Sequence, residues 1–355
     1  MNFVITIFEC DVYLLLWVMA NITDIAKELG IAPSTVSRAL KKPDLVSLDT
    51  RHKVLQMAEK LGYLQKLRDD ATAATATNLI GVIVADLTNS FSNQIVKAVH
   101  DSLENSGYSA IVGCNYEQSS IENRLLKQWA SLNLKGLIIM PTAKFSKTIN
   151  SVDANYPIVL VDRNSEDLSF DSVIEDNRYG ASQAIEHLRE LGHERIVFIT
   201  GARRVYTFNE RCLGVESTNS KITANVQIEE VDAESYDELF IGAFEKTNIL
   251  MMKNKALSPT AIVGANNAIT AGILYALNLK DFKIPNDVSV VSYGDSDWCR
   301  FYPTPITSMC QPVDEMGREA TSILLERIKG KKGDPEKICL KSMLLRRASS
   351  SELQM

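Results

Sequence analysis

Cysteine is sparse and scattered in this sequence. The six are Cys10, Cys114, Cys212, Cys299, Cys310 and Cys339, with no CxxC and no close pair. That is neither a disulfide framework nor a zinc site, and it suits a reducing cytosol. The four histidines, His52, His100, His187 and His193, fall in no HExxH or other metal-ligand spacing, so no metal is expected. A GxGxxG strand-turn, a Walker loop and a GxSxG elbow are also missing, and no histidine can be placed beside a nucleophile. Neither a catalytic residue nor a cofactor is expected, and the chain reads as a non-enzyme. Gly and Pro total only 27 of 355 residues, which excludes collagen-like and low-complexity chains. An uninterrupted apolar run of about 20 residues, as a membrane helix needs, is lacking too. The nearest candidate, residues 1–18, is broken by Glu9 and Asp11 and has no basic start. We read it as an extension ahead of a translation start at Met19, and expect a cytoplasmic protein without a membrane partner.

What is present is a globular composition, 45% hydrophobic and 23% charged, with a net charge of −6. The charge is unevenly spread. Residues 19–68 carry nine Lys or Arg against five Asp or Glu, a balance of +4, which leaves −10 for the rest. In this basic stretch Asn21 caps a helical pattern, ITDIAKEL, with Ile22, Ile25, Ala26 and Leu29 on one face and Gly30 as the stop. Pro33 opens a second helix through Leu40, with Val36 and Leu40 facing inward. A third runs from Asp49 to Gly62, with Val54, Leu55, Ala58 and Leu61 inside. Pro33, Ser34, Thr35, Ser37 and Arg38 give the second helix the short polar side chains and single arginine that suit the major groove. The plain alternative is a small bundle whose basic residues are merely solvated.

The matches at fixed spacing are Thr23, Asp24-Ile25-Ala26, Gly30, Thr35-Val36-Ser37-Arg38-Ala39-Leu40, Thr50-Arg51 and Leu61-Gly62-Tyr63. They resemble the helix-turn-helix head of the lactose-repressor (LacI) family of bacterial transcription regulators. The resemblance implies a DNA-binding head over residues 19–63, with Pro33 and Ser34 as base readers. It implies that Arg38 reaches a base or phosphate and that Thr23, Thr35, Ser37 and Arg51 serve the DNA contact, mainly at phosphates. Ala32 stands where the family often has a capping Ser. Residues 64–78, LQKLRDDATAATATN, form an atypical linker. Counted without gaps, Asp69-Asp70 and Thr72 occupy the places where many relatives have Ala-Arg and the minor-groove Leu of a hinge helix.

From residue 79 to 351 strands and helices alternate: LIGVIVAD, a helix from Phe91 to Ser106, YSAIVGCN, a helix near 118–132, GLIIMP, YPIVLVD, and so on to a final helix within MGREATSILLERIKG. This rhythm predicts an α/β protein of parallel sheets in two similar lobes. The resemblance extends here to the family's effector core, itself similar to periplasmic sugar-binding proteins. That implies three crossings between lobes, placed near 161, 291 and 325. Lobe one is then 79–160 with 292–325, and lobe two 162–290 with 326–351.

Ligands of open α/β sheets bind beyond the strand carboxyl ends. The candidates are therefore Asn89 and Phe91 after the first strand, Asp162 with Arg163 after YPIVLV, Asn266 after TAIVGA, Asp295 after VSVVSY, and Arg211 in the helix after ITG. By the resemblance they hold a small polyhydroxylated effector, with Arg211 and Asp162 on hydroxyls, Asn89 and Asn266 adding hydrogen bonds, and Phe91 an apolar face. Asn267 and Gly294 stand where relatives usually carry Asp, and an acidic or phosphorylated ligand meets less repulsion there. Taken singly, the same residues read as helix caps, a turn, a core phenylalanine and a solvated arginine. The expected function is a sequence-specific DNA-binding regulator, a repressor, gated by a sugar-like effector. It would act as a homodimer on a pseudo-palindromic operator in double-stranded DNA, because one head reads too few bases. The alternative is a cytoplasmic small-molecule-binding protein with a disabled head.

Overall fold

The computed structural model describes residues 21–64, 78–149, 155–164, 169–221, 225–233, 235–252 and 257–353. The extension and nearly all of the linker, with Asp69, Asp70 and Thr72, lie outside them. The chain divides into two compact units, Met1–Thr77 and Asn78–Met355.

In the first unit, α1 (Ile22–Leu29), α2 (Pro33–Lys41) and α3 (Leu48–Lys60) enclose Ile25, Ala26, Val36, Ala39, Val54 and Ala58. Local chemistry sets each boundary. Asn21 and Asp24 form a reciprocal capping box on α1, and Gly30 ends it in the left-handed conformation at φ 64°. Ala32 supplies no side-chain cap to α2. Ser47, through its hydroxyl, caps α3. Ala39 is buried where Leu40 was expected, and Leu40 is only half-buried. In α3 the inner residues Val54 and Ala58 are joined by Met57 rather than Leu55.

The second unit holds two six-stranded sheets. The first comprises β1 (Leu79–Val84), β2 (Ser109–Cys114), β3 (Gly136–Ile139), β4 (Ile158–Val161), β5 (Asp171–Glu175) and β11 (Lys337–Leu340), in the order 2-1-3-4-5-11 and parallel throughout. The second comprises β6 (Arg195–Gly201), β7 (Asn225–Val231), β8 (Ala261–Gly264), β9 (Ser289–Tyr293), β10 (Thr307–Cys310) and β12 (Met343–Leu345), in the order 7-6-8-9-10-12. Only β12 runs antiparallel, against β10. The central strands are apolar runs buried on both faces, as parallel sheets covered by helices require. Sheet one is covered by α4 (Ser90–Leu103), α5 (Ser119–Trp129), α6 (Phe145–Ile149) and α12 (Val313–Ile328). Sheet two is covered by α7 (Asn177–Glu190), α8 (Tyr206–Lys221), α9 (Tyr236–Met251) and α10 (Asn267–Leu279), with a short α11 (Trp298–Phe301).

The crossings lie later than the sequence reading placed them. The chain changes sheets between Glu175 and Asn177, between Cys310 and Val313, and between Leu340 and Met343, not near 161, 291 and 325. Lobe one is thus 78–175 with 313–340. The cause is β5, whose sequence DSVIE hides a strand behind two carboxylates. Both are buried and partnered. Asp171 receives a two-pronged bond from Arg327 at 2.7 and 2.9 Å, and Glu175 accepts bonds from Tyr293 and Gln311. With β5 in sheet one and β9 and β10 in sheet two, each crossing moves towards the C-terminus.

Candidate functional site

The head presents one polar surface. On α2, Val36 and Ala39 face inward, so helical spacing puts Ser34, Ser37, Arg38 and Lys41 on the outer side. Pro33, Ser34, Arg38 and Thr23 are exposed, while Thr35, Ser37 and Arg51 are half-buried. Lys41 and Lys42, both exposed, were missed as candidates although they extend the same basic surface.

In the second unit, strand carboxyl ends from both sheets converge on a cavity of about 840 Å³, open mouth included. Five of the six expected effector residues line it: Asn89, Phe91, Asp162, Arg211 and Asn266. Asn89 caps α4 by accepting from the Phe91 N–H at 3.0 Å, and Asn266 caps α10 by accepting from the Ile269 N–H at 2.8 Å. Each amide oxygen thus serves the cap with one lone pair, which leaves its second lone pair and the NH2 group for a ligand. Phe91 also packs against the sheet-one core.

Arg211 is no solvated helix arginine. It is buried, its Nε donates to Asn177 Oδ1 at 2.7 Å, and its Nη1 donates to the Ala265 carbonyl at 2.6 Å. Its Nη2 lies 3.6 Å from Glu175, and its guanidinium stacks 3.9 Å above the Tyr293 ring. Glu175 accepts from the Tyr293 hydroxyl and from Gln311 Nε2, each at 2.7 Å. One buried carboxylate from β5 therefore ties together β9, the turn after β10 and the cavity arginine. Burial and the adjacent Glu175 both push the Tyr293 phenol well above its ordinary range.

Asp162 is buried at φ 68° immediately after β4. Burial pushes its carboxyl up to about 6, against the opposing pull of Arg163 and Arg211. Arg163, also buried, is forked by the Glu117 carboxylate. Burial works against the charge on Arg163, but Glu117 and Asp162 outweigh it and hold the guanidinium above its ordinary range.

Asp295 is the exception among the expected residues. It is absent from the main cavity lining and its carboxylate is taken by Arg347, at 2.6 and 2.9 Å, and by the Ser308 hydroxyl at 2.7 Å. Burial pushes its carboxyl up, but those bonds win and keep it below the usual range. It ties the segment after β12 to the turn after β9 and lines a smaller pocket with Asn267 and Gln311. Arg163, placed with Asp162 at the same strand end, also lines the cavity, as does Gln311, while Glu117 and Tyr236 were missed. Glu117 lies three residues beyond the end of β2, so the strand-end rule applied to every strand would have found it.

Across the seam between lobes, Asn267 Nδ2 donates to Ser90 Oγ at 3.0 Å, and Ser90 Oγ lies 2.7 Å from Ser296 Oγ. Gly294 sits at φ 100°, and a Cβ there would fall 2.6 Å from Asn267 Oδ1. An aspartate at 294 would be strained by this backbone and would require the Asn267 amide to shift.

The comparisons with known proteins agree with this geometry. Residues 21–65 match the family described as bacterial regulatory proteins, lacI family, and residues 185–350 match the periplasmic binding protein-like domain. The probable HTH-type transcriptional regulator EndR of Paenibacillus polymyxa is 31% identical over 328 residues, covering 90% of this chain and 94% of its own. The chain belongs to the LacI family. Two solved structures share the fold. A LacI family transcriptional regulator from Enterococcus faecalis with bound ribose is 25% identical, with a TM-score of 0.68, covering 78% of this chain and all of its own. The lac repressor dimer bound to operator and an anti-inducer is 23% identical, with a TM-score of 0.68, covering 94% and 99%. As a LacI-type protein the chain is a DNA-binding transcriptional regulator, not an enzyme, and it works in the cytoplasm where bacterial DNA lies. No helix among the described residues is long and apolar enough to cross a membrane.

Proposed function

We propose that this LacI-type regulator binds a pseudo-palindromic operator as a homodimer and is gated by a small polyhydroxylated effector held in the interlobe cavity. The observation that carries the reading is the pairing of two features in one chain: an exposed polar face on α2, and a cavity lined from both lobes by amide, carboxylate, guanidinium and aromatic groups. Pro33 and Ser34 open the helix and read bases. Arg38 reaches a base or phosphate, and Thr23, Thr35, Ser37 and Arg51 position the head on phosphates. In the cavity Asp162 and Arg211 hold hydroxyls, the NH2 groups of Asn89 and Asn266 donate, and Phe91 covers an apolar face. Fixed polar groups of this kind reject an analogue that lacks the partner hydroxyl. The ribose held by the Enterococcus faecalis regulator supports a sugar-like ligand.

A second copy has a face to meet. On α9 and α10 the exposed Ile241, Ile249, Tyr275 and Leu279, with Met252 beyond α9, form an apolar surface backed by Phe240 and Phe244 against Tyr275. Two heads on a two-fold axis double the site read.

The test is fluorescence anisotropy at one fixed salt concentration, since phosphate contacts make affinity steeply salt-dependent. Palindromic duplexes from the gene's own upstream region are compared with a scrambled duplex. Specific binding tighter by about 100-fold or more, lost in Arg38→Ala, is the expected result. Equal weak binding to both duplexes by a folded dimer overturns the proposal in favour of a small-molecule-binding protein with a disabled head.

A further inference from the structure

We propose that Glu117 is a displaceable stand-in for an anionic group of the effector, and that the effector carries a phosphate or carboxylate which replaces it on Arg163. This deepens the effector reading above and rests on it.

Arg163 is only 7% exposed, yet it lines the cavity. Both of its Nη atoms point at the Glu117 carboxylate, and Nη1 also donates to the Pro141 carbonyl at 3.3 Å. Its Nε is buried and makes no hydrogen bond, with the nearest carboxylate oxygen, on Asp162, at 3.4 Å. A planar guanidinium fork matches carboxylate and phosphate oxygens alike. A phosphate has an oxygen to spare for the unmet Nε, which the two oxygens of Glu117 do not reach.

Glu117 is held differently from Glu175, the buried carboxylate that lies behind the cavity against Arg211. Glu175 is fully buried and bonded to Tyr293 and Gln311 as well as facing Arg211, so it cannot leave without undoing the lobe junction. Among the described residues, the Glu117 carboxylate bonds to Arg163 alone. It is presented by two successive non-glycine residues in the left-handed region, Tyr116 at φ 49° and Glu117 at φ 59°. Such pairs are sparsely populated and persist only where the surroundings impose them. The base of the turn is fixed independently. The Tyr116 N–H donates to the Ala85 carbonyl at 2.8 Å, and the Glu117 N–H donates to Asn115 Oδ1 at 3.1 Å. Only the side chain has to swing out, and the backbone already supports the vacated position.

Charge accounts for the class of ligand. A neutral sugar that displaced Glu117 would uncover a buried cation, which is strongly unfavourable. An anion that displaces it leaves the charge facing Arg163 unchanged. Elsewhere in the cavity lining Asn267 presents an amide, which adds no negative charge. After Glu117, Asp162 is the carboxylate nearest the fork, and burial already draws it towards its neutral form.

The experiment is calorimetric titration of the full chain, its Glu117→Gln variant and its Arg163→Lys variant at constant ionic strength. The probes are inorganic phosphate, glucose 6-phosphate and glucose. Glu117→Gln is expected to bind both phosphate probes at least about tenfold more tightly than the parent chain, with glucose unchanged. Arg163→Lys, which keeps the charge and loses the fork, is expected to weaken both phosphate probes, with circular dichroism showing that it folds. An unchanged phosphate affinity in Glu117→Gln, or no phosphate binding by either chain, overturns the proposal. Tight glucose binding that phosphate does not compete with also overturns it. Operator binding without ligand, measured on the same preparations, decides the regulator reading separately, since neither substitution lies in the head.

Discussion

Removing Arg211 should damage the fold as well as the ligand site, and the size of that damage follows from its surroundings. In Arg211→Met the bonds to Asn177 and to the Ala265 carbonyl disappear, the stack on Tyr293 is lost, and Glu175 keeps its charge in a fully buried place without the cation 3.6 Å away. Breaking one side of a buried pair costs about 3–5 kcal/mol. For a unit of this size that corresponds to a fall of about 6–20 °C in melting temperature. Glu175→Gln removes the opposite charge and keeps an oxygen to accept from Tyr293 or Gln311. The double variant leaves neither charge unpaired, so it should be more stable than the sum of the singles by about 1–3 kcal/mol. The assay is urea unfolding of the ligand-free chain, followed by circular dichroism, for the parent and three variants. If Arg211→Met lies within about 1 kcal/mol of the parent, or if the two substitutions are additive within about 0.3–0.5 kcal/mol, the coupling drawn here between Arg211 and Glu175 is wrong.

Asp162 gives a prediction with a definite sign. Its folded value, about 6, is above the ordinary carboxylate value, so the unfolded chain releases this proton first. Its contribution to stability is complete below about pH 4 and is lost as pH rises through about 6. Relative to the parent, Asp162→Asn should therefore gain about 1–2 kcal/mol between pH 5 and pH 7.5, read from urea midpoints at the two pH values, and a flat difference contradicts the burial argument. In the head, Ala32 leaves the start of α2 without a side-chain cap, so Ala32→Ser should stabilise it by about 0.5–1 kcal/mol. Thermal melting of the full chain's head transition checks this, and no gain would mean that the α2 amides are already satisfied. On the apolar face of α9, Ile249→Asp should shift the protein from dimer to monomer in sedimentation equilibrium, and an unchanged dimer would place the interface elsewhere.

The sequence was most legible where local chemistry is decisive. The capping pair Asn21 and Asp24, the glycine stop at Gly30 and the buried runs of β1, β3, β4 and β8 could be read because apolar periodicity and turn residues act within a few positions. Strand-end placement then brought five of six expected effector residues to one cavity. The rest depended on contacts far apart in the chain. β5 was hidden because its carboxylates are satisfied by Arg327, Tyr293 and Gln311, more than a hundred positions away. Nothing near Asp295 in the sequence announces Arg347, its partner 52 positions on in the segment after β12. Asn89 and Asn266 turned out to be helix caps and cavity residues at once, since a cap placed at a strand's carboxyl end faces the crevice.

That double duty bears on how a ligand can change the protein. A small molecule shifts an equilibrium only as far as it binds one state better than the other. A cavity lined by groups already bonded to the framework offers that difference, because contact with the ligand alters bonds that join the lobes. Glu175 joins β5 to β9 and to the turn after β10 while facing Arg211. Asn267 lines the cavity and bridges through Ser90 towards Ser296 across the seam. A ligand that draws on Arg211 therefore acts on one lobe crossing, and one that engages Asn267 acts on the seam. Coupling energies in regulators are typically about 1–3 kcal/mol, the scale of one or two such hydrogen bonds. A few exchanged bonds at this junction are enough to set which arrangement of the lobes prevails.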